Sequence, residues 1–164
     1  MSKSSIIKDA AEKALASEND RATRLFGKAE KITAGIIVVT GFQVLSAPNV
    51  LGSGSLWAQC VCYFAFAVLG LSLFFGFFSM RSRGYADYPR GDKLWEILKP
   101  ENVSEDAAHE AIIQMLLRNR EQNAKVNDAK ARTLAICGWL LFAGFLLGVA
   151  SQLLAPLAVI SPPQ

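Results

Sequence analysis

Two long stretches of this chain contain no charge. Between Lys31 and Arg81 there is no Lys, Arg, Asp or Glu, and between Arg132 and Gln164 there is none either. A helix on the surface of a water-soluble domain shows a charged or polar face every few residues. These stretches show none, which excludes a water-facing helix. Histidine is nearly absent too: His109 stands alone, without a Cys or second His near it in sequence, so no metal-ligand set forms around it. Three cysteines, Cys60, Cys62 and Cys137, are too few and too unevenly spaced for a disulfide framework or a zinc knuckle. Cys60 and Cys62 are two apart and point about 200° apart on a helix. No glycine-rich phosphate loop, nucleophile elbow or HExxH pattern is present. No enzyme activity, metal or cofactor is expected from such a sequence.

What is there is apolar length. The chain is 52% hydrophobic and 19% charged, below the roughly 25% charge of an ordinary soluble domain. About 20 apolar residues cross a hydrocarbon layer of about 30 Å. Three segments reach that length: about 32–50, ending near Pro48 and Asn49; about 56–80; and 133–155, stopped by Pro156. "NVLGSGS" between the first two reads as a tight turn. The polar leader of about thirty residues is too long for a usual signal-peptide n-region, so the first span reads as an anchor.

The charges that do occur set a direction. Seven Lys and Arg fall in 1–31 and the other ten in 81–132, while the turn at 51–55 and the residues after 155 have none. The positive-inside rule then puts the N-terminus and 81–132 in the cytoplasm and the C-terminus outside. The expected fold class is an all-α integral membrane protein. Its parts are a cytoplasmic amphipathic helix (1–31), a two-span hairpin (32–80), a cytoplasmic linker and long helix (81–132), a third span (133–155) continuous with that helix, and a short external tail (156–164). A net charge of +3 gives no reason to expect nucleic acid.

The second span carries a face at steps of four and three: Ala58, Cys62, Ala65, Leu69, Ser72, Gly76 and Ser79. Small residues let helices approach closely in lipid, where van der Waals packing replaces the hydrophobic drive. The third span offers a counterpart in Cys137, Leu141, Gly144, Gly148, Ser151 and Ala155, including a Gly-x-x-x-Gly. The candidate helix-packing residues are therefore Ala58, Cys62, Ala65, Ser72, Gly76, Gly144, Gly148 and Ser151. Contact within one chain and contact between chains are both compatible with that pattern. Gln43, Gln59 and Gln152 fall toward the outer side, as helix glue or as a polar constriction. No span carries an ionisable Asp, Glu, His, Lys or Arg, which disfavours a proton relay or ion-coupled carrier.

In the leader, Ile7, Ala11, Ala14, Ala22, Leu25, Ala29 and Ile32 form a weakly apolar stripe, suited to packing on another helix or to the membrane surface. In the connector, "PRGD" (89–92) reads as a turn and Lys93–Lys99 as a short helix with Trp95, near Tyr85 and Tyr88. Asn102-Val103-Ser104 matches a glycosylation sequon that is inert in the cytoplasm. Ser104 begins a long helix with Glu105 and Asp106 in its first turn. Its stripe at heptad spacing gives a cytoplasmic seam of Ala108, Ile112, Met115, Asn119, Gln122 and Val126, continuing to Ala129 and Thr133. From residue 104 to 155 an unbroken helix measures about 78 Å. A seam of that kind needs the leader helix, a second copy or a protein partner against it. Asn119 and Gln122 are candidates for register control.

"NAKVNDAKARTLAICGWLLFAGFLLGV" (123–149) is a basic helix running into a span. Together with a basic leader, a two-span hairpin and a cytoplasmic linker, this layout resembles the small membrane effectors of bacterial anti-phage signalling, the Pycsar transmembrane effector family. The resemblance implies a bacterial inner membrane, a cytoplasmic region sensing a cyclic nucleotide and spans that compromise the bilayer, as an oligomeric channel or otherwise. Arg118, Arg120, Lys125, Lys130 and Arg132 suit phosphate contacts or anchoring to anionic lipid. A nucleotide ligand thus stays open. The leading expectation is a non-enzymatic multi-pass protein whose cytoplasmic helices mediate assembly or partner binding, with the effector as alternative.

Overall fold

A computed structural model describes residues 3–81 and 104–156. Three helices account for nearly all of them: α1 (Lys3–Leu51), α2 (Leu56–Met80) and α3 (Glu105–Leu154). All three are long and apolar enough to cross a membrane, and the described residues contain no strand. The turn expected at 89–92, the helix expected at Lys93–Lys99 with Tyr85, Tyr88 and Trp95, and the tail after Pro156 lie outside the described residues.

The helix ends follow local chemistry. Pro48 sits inside the last turn of α1. The helix runs past it because a proline removes only one donor, and one turn from the end little ladder remains to be lost. Gly52 N–H still donates to the Pro48 carbonyl at 2.9 Å, and Ser53 Oγ donates to the Val50 carbonyl at 2.7 Å. Gly54 then takes φ +71°, the left-handed region that reverses the chain. Ser55 caps α2 by accepting from Ala58 N–H at 3.3 Å, and Ser104 caps α3 by accepting from Ala107 N–H at 3.3 Å.

The chain forms two units, Met1–Leu25 with Ser82–Lys130, and Phe26–Arg81 with Ala131–Gln164. In the first, an N-terminal stretch of α1 packs on the N-terminal part of α3. Ala11 and Leu15 meet Ile112 and Leu116 in a small apolar cluster. Farther along both helices, Asn19 meets Asn123 and Arg21 meets Asp128. Partners rise in number together, so the two segments run parallel. Burying each of the larger apolar side chains contributes about 1.5–3 kcal/mol in water.

The second unit contains the rest of α1, all of α2 and the rest of α3. Its buried positions are mostly small or polar: Ala29, Thr33, Gln43, Ala47, Ala58, Cys62, Ala65, Ser72, Gly76, Ser79, Cys137, Gly144, Gly148, Ser151 and Ala155, with Ile36, Val50, Val68, Leu69 and Leu134. Its exposed positions include Val38, Phe42, Leu45, Trp57, Phe64, Phe74, Phe77, Trp139 and Phe142. Large apolar groups outside and small ones inside is the reverse of a water-soluble fold. It is what close helix packing in an apolar solvent favours, where burying a leucine gains little and closeness of approach gains more.

The buried line on α3 departs from the heptad seam. Ala108 and Ile112 are buried, but Met115, Asn119 and Val126 are only half-buried and Gln122 is exposed. Leu116, Asn123, Asn127 and Lys130 are buried instead. The reason is pitch. At 100° per residue Asn123 lies about 20° from Ile112 around the axis, and Gln122 about 80° away. A strict seven-residue repeat drifts about 20° per heptad on a straight helix. Ile112 and Lys130, Ala29 and Ala47, and Cys137 and Ala155 are all buried pairs. Each pair is separated by about five turns at 3.6 residues per turn.

Candidate functional site

In the first unit the polar residues gather into one layer. Asn127 is fully buried, and its Nδ2 donates to both the Glu18 backbone carbonyl at 2.9 Å and Glu18 Oε2 at 3.0 Å. Asn123 is equally buried and its Nδ2 donates to Asn19 Oδ1 at 3.0 Å. Arg21 Nη2 donates to Asp128 Oδ1 at 2.7 Å, with Nη1 3.5 Å from Glu18 Oε2. The hydrogen bond to Asp128 is the largest influence raising the Arg21 pKa above its ordinary value, with the charges of Asp128 and Glu18 adding to it. Beyond the layer, Lys125 and Glu121 pair at 2.8 Å on the surface, and this holds the Glu121 carboxyl below its usual value.

Buried amides of this kind specify more than they stabilise. A satisfied hydrogen bond contributes about 1 kcal/mol net, whereas one left buried without its partner costs about 1–3 kcal/mol. A slip of α1 against α3 by one turn would break the bonds of Asn123 and Asn127 to α1 and leave the Glu18 carboxylate with Arg21 but without Asn127. The layer therefore fixes register, the role that polar seam residues play between parallel helices.

The second unit has its own polar line. Ser72 Oγ donates to the Cys137 carbonyl at 2.8 Å, and Cys137 Sγ donates back to the Ser72 carbonyl at 3.2 Å. Gln43 Nε2 donates to the Gly144 carbonyl at 3.0 Å. The Gln43 amide occupies the space that a Cβ on Gly148 would need, and a Cβ on Gly144 would stand 2.7 Å from Leu69. The Gly-x-x-x-Gly of α3 thus receives a glutamine from α1 and a leucine from α2. Two buried oxygens, Thr33 Oγ1 and Gln43 Oε1, have no hydrogen-bond partner. At the uncharged end, Gln152 Nε2 donates to Ser46 Oγ at 2.8 Å, beside a groove of about 420 Å³ lined by Ser46, Asn49, Val50, Ser53, Gln152, Ala155 and Pro156. Gln59 Nε2 donates to the Leu51 carbonyl at 2.9 Å and is not buried.

All eight candidate packing residues, Ala58, Cys62, Ala65, Ser72, Gly76, Gly144, Gly148 and Ser151, are buried in this unit. Leu69 and Ser79 from the same stripe are buried with them, while Cys60 is exposed. Sequence reasoning did not single out Asn19, Asn123, Asn127 or Thr33, while Glu18 interrupts the leader's apolar stripe between Ala14 and Ala22. At 3.6 residues per turn Asn119 and Asn123 each lie about 20° from Ile112, on opposite sides, so the helical repeat does not choose between them. Nothing in the composition of α1 marks Asn19 apart from its other polar residues. His109 is half-buried on α3. Among the described residues, no group of three His, Cys, Asp or Glu side chains is placed to hold a metal ion. Hydroxyl, amide and thiol groups make up the polar line of the second unit, and these can hold helices or water. Neither a family model, nor a curated protein, nor a solved structure matches the chain.

Proposed function

We propose that the chain is a non-enzymatic multi-pass membrane protein, with the second unit in the bilayer and the first in the cytoplasm as a platform for assembly or partner binding. One observation carries the second half of this reading. The first unit closes its seam with Ala11, Leu15, Ile112 and Leu116, yet Ile6, Ile7 and Leu117 stay exposed among charged neighbours. The two described helices of this unit have few positions at which to bury apolar groups, and those left outward suit another helix. The bilayer half rests on the inverted distribution of size and polarity in the second unit and on the Lys and Arg asymmetry.

The test combines topology and size. A cysteine label placed at Gly54 should react only from outside intact cells, and one at Ser104 only from the cytoplasm. Protein in nanodiscs should sediment as an oligomer or bring a defined partner with it. Ile7→Asp and Leu117→Asp should abolish that association while leaving insertion intact. Strict monomers without partners would refute the assembly role. Labelling of position 54 from the cytosol would refute the topology.

A second reading, a membrane-perturbing effector, draws on the two unpartnered oxygens at Thr33 and Gln43 in the second unit. It requires that expression depolarise cells and that Thr33→Val with Gln43→Leu suppress the effect. Silence of the wild type, with and without cyclic nucleotides, would eliminate it.

A further inference from the structure

The second unit has five charged residues, Lys28, Glu30, Lys31, Arg81 and Arg132, and its other end has none. Their heights can be compared, because three side chains fix a common level. A Cβ on Gly76 would lie 3.0 Å from Thr33 Oγ1 and 3.6 Å from Cys137 Sγ, so Thr33, Gly76 and Cys137 stand side by side on three helices. From that level Lys28 is five residues back along α1, Arg132 is five back along α3, and Arg81 is five forward along α2, which runs the opposite way. Each step is about 7.5 Å at 1.5 Å per residue, and all three lead in the same direction. Lys31 lies about 3 Å from the same level. All four cations are exposed; Glu30 is the one carboxylate among the described residues of this unit, and Asp128 lies one turn before Arg132 on α3.

The distance to the other end is informative. Val50, Ala58 and Ala155 share the apolar cluster there. Lys28 to Val50, Arg81 to Ala58 and Arg132 to Ala155 each span about 33–35 Å of helix, close to the roughly 30 Å of a hydrocarbon core. The cations therefore stand where lipid phosphates stand when the apolar faces above them meet acyl chains.

We propose that Lys28, Arg81 and Arg132, with Lys31, form a ring that binds the phosphate headgroups of anionic phospholipids in one leaflet. Each helix contributes a cation, so the ring reads the leaflet from three sides and sets the depth of the whole bundle. The proposal rests on the bilayer reading given above. The ligand is the lipid, because only a phosphate tethered to acyl chains meets the cations and the exposed phenylalanines of α2 at once.

The experiment uses the full chain. Resistance of membranes to alkaline extraction is established first. The protein is then taken from nanodiscs of phosphatidylcholine with and without phosphatidylglycerol, and retained lipids are counted by native mass spectrometry. Wild type should retain phosphatidylglycerol over phosphatidylcholine. Lys28→Gln and Arg132→Gln should each lower that preference about five-fold, the effect of one juxtamembrane cation. The charge-keeping pair Lys28→Arg and Arg132→Lys should preserve it, as should Lys13→Gln at an exposed position of the first unit. Equal retention of both lipids by wild type, or an unchanged preference in the glutamine variants, would overturn the ring. So would equal protection by free inorganic phosphate at matched concentration. Release of the protein by alkali would overturn the bilayer reading and the ring with it, whereas firm insertion without selectivity would overturn the ring alone.

Discussion

The two units solve the same packing problem with opposite materials. Among the described residues of Met1–Leu25 with Ser82–Lys130, Leu15, Ile112 and Leu116 are inside, most charges are outside, and a layer of buried amides interrupts the apolar seam. In Phe26–Arg81 with Ala131–Gln164, large apolar side chains are outside and glycine, alanine, serine and cysteine are inside. Water rewards burying a leucine with a few kcal/mol, so the first unit spends its interior on volume. Lipid does not distinguish leucine from its own tails, so on the bilayer reading proposed above the second gains more from proximity than from volume. Both use buried polar groups, but for different ends. Asn123 and Asn127 choose a register, whereas Gln43 and Ser72 tie backbones that already touch.

Substitutions that add or remove volume should separate the units most strongly. Gly148→Leu should abolish the native bundle, because even a Cβ there occupies the Gln43 amide's place. Gly148→Ala should cost about 1–3 kcal/mol, the usual range for overpacking. Gln43→Ala in the same chain should recover part of that loss, which a double-mutant cycle by thermal unfolding in detergent would measure. Strict additivity would show that the contact does not hold the helices.

The next effect belongs to the first unit. Asn123→Ala should cost about 1–3 kcal/mol by leaving Asn19 without its partner. The pair Asn19→Leu with Asn123→Leu should cost less than Asn123→Ala alone, since the two groups that bond each other leave together. It should, however, broaden the register. Cysteines placed at 15 and 116 would report this by cross-linking to more than one position.

A smaller effect separates two hydroxyls in the second unit. Ser72→Ala removes a bond to the Cys137 carbonyl and should cost about 0.6–1.7 kcal/mol, as interhelical hydrogen bonds in membranes do. Thr33→Val removes an oxygen that has no partner and should leave stability unchanged or raise it. Equal losses in the two variants would mean that Thr33 holds a water.

The smallest effect is electrostatic. Glu121 is exposed and its pKa is lowered by Lys125, so its contribution is present above the ordinary value of 4.5 and fades as pH falls through the lowered one. Glu121→Gln should leave Tm unchanged at pH 7 within error, and any difference from wild type should vanish in acid. A clear loss at pH 7 would mean the pair is more than a solvated surface contact.

Much of this architecture can be read without coordinates. Charge-free runs mark the apolar part of each of the three helices, Ser104 announces the start of α3, and small residues at steps of four and three mark the buried face of α2. What could not be read is which polar residues the long helices bury. Asn119 and Asn123 are chemically identical, and one turn of α3 separates them. At 3.5 residues per turn Asn119 lies on the Ile112 line and Asn123 about 50° off it, whereas at 3.6 both lie about 20° from it on opposite sides, so the repeat alone does not choose. The partner of the glycine pair was equally hidden. A Gly-x-x-x-Gly announces a close neighbour without saying that the neighbour is the side chain of Gln43.

The parallel run of α1 beside α3 also bears on how the protein is made. Asn19 and its mate Asn123 are 104 positions apart in the chain. At about 5–20 residues per second a ribosome needs about 5–20 s to extend from one to the other. Throughout that interval Ala11, Leu15 and the Glu18–Asn19 step have emerged while their counterparts on α3 do not yet exist. Until those counterparts are made, this stretch is open to a chaperone or to the same stretch of a chain from a neighbouring ribosome.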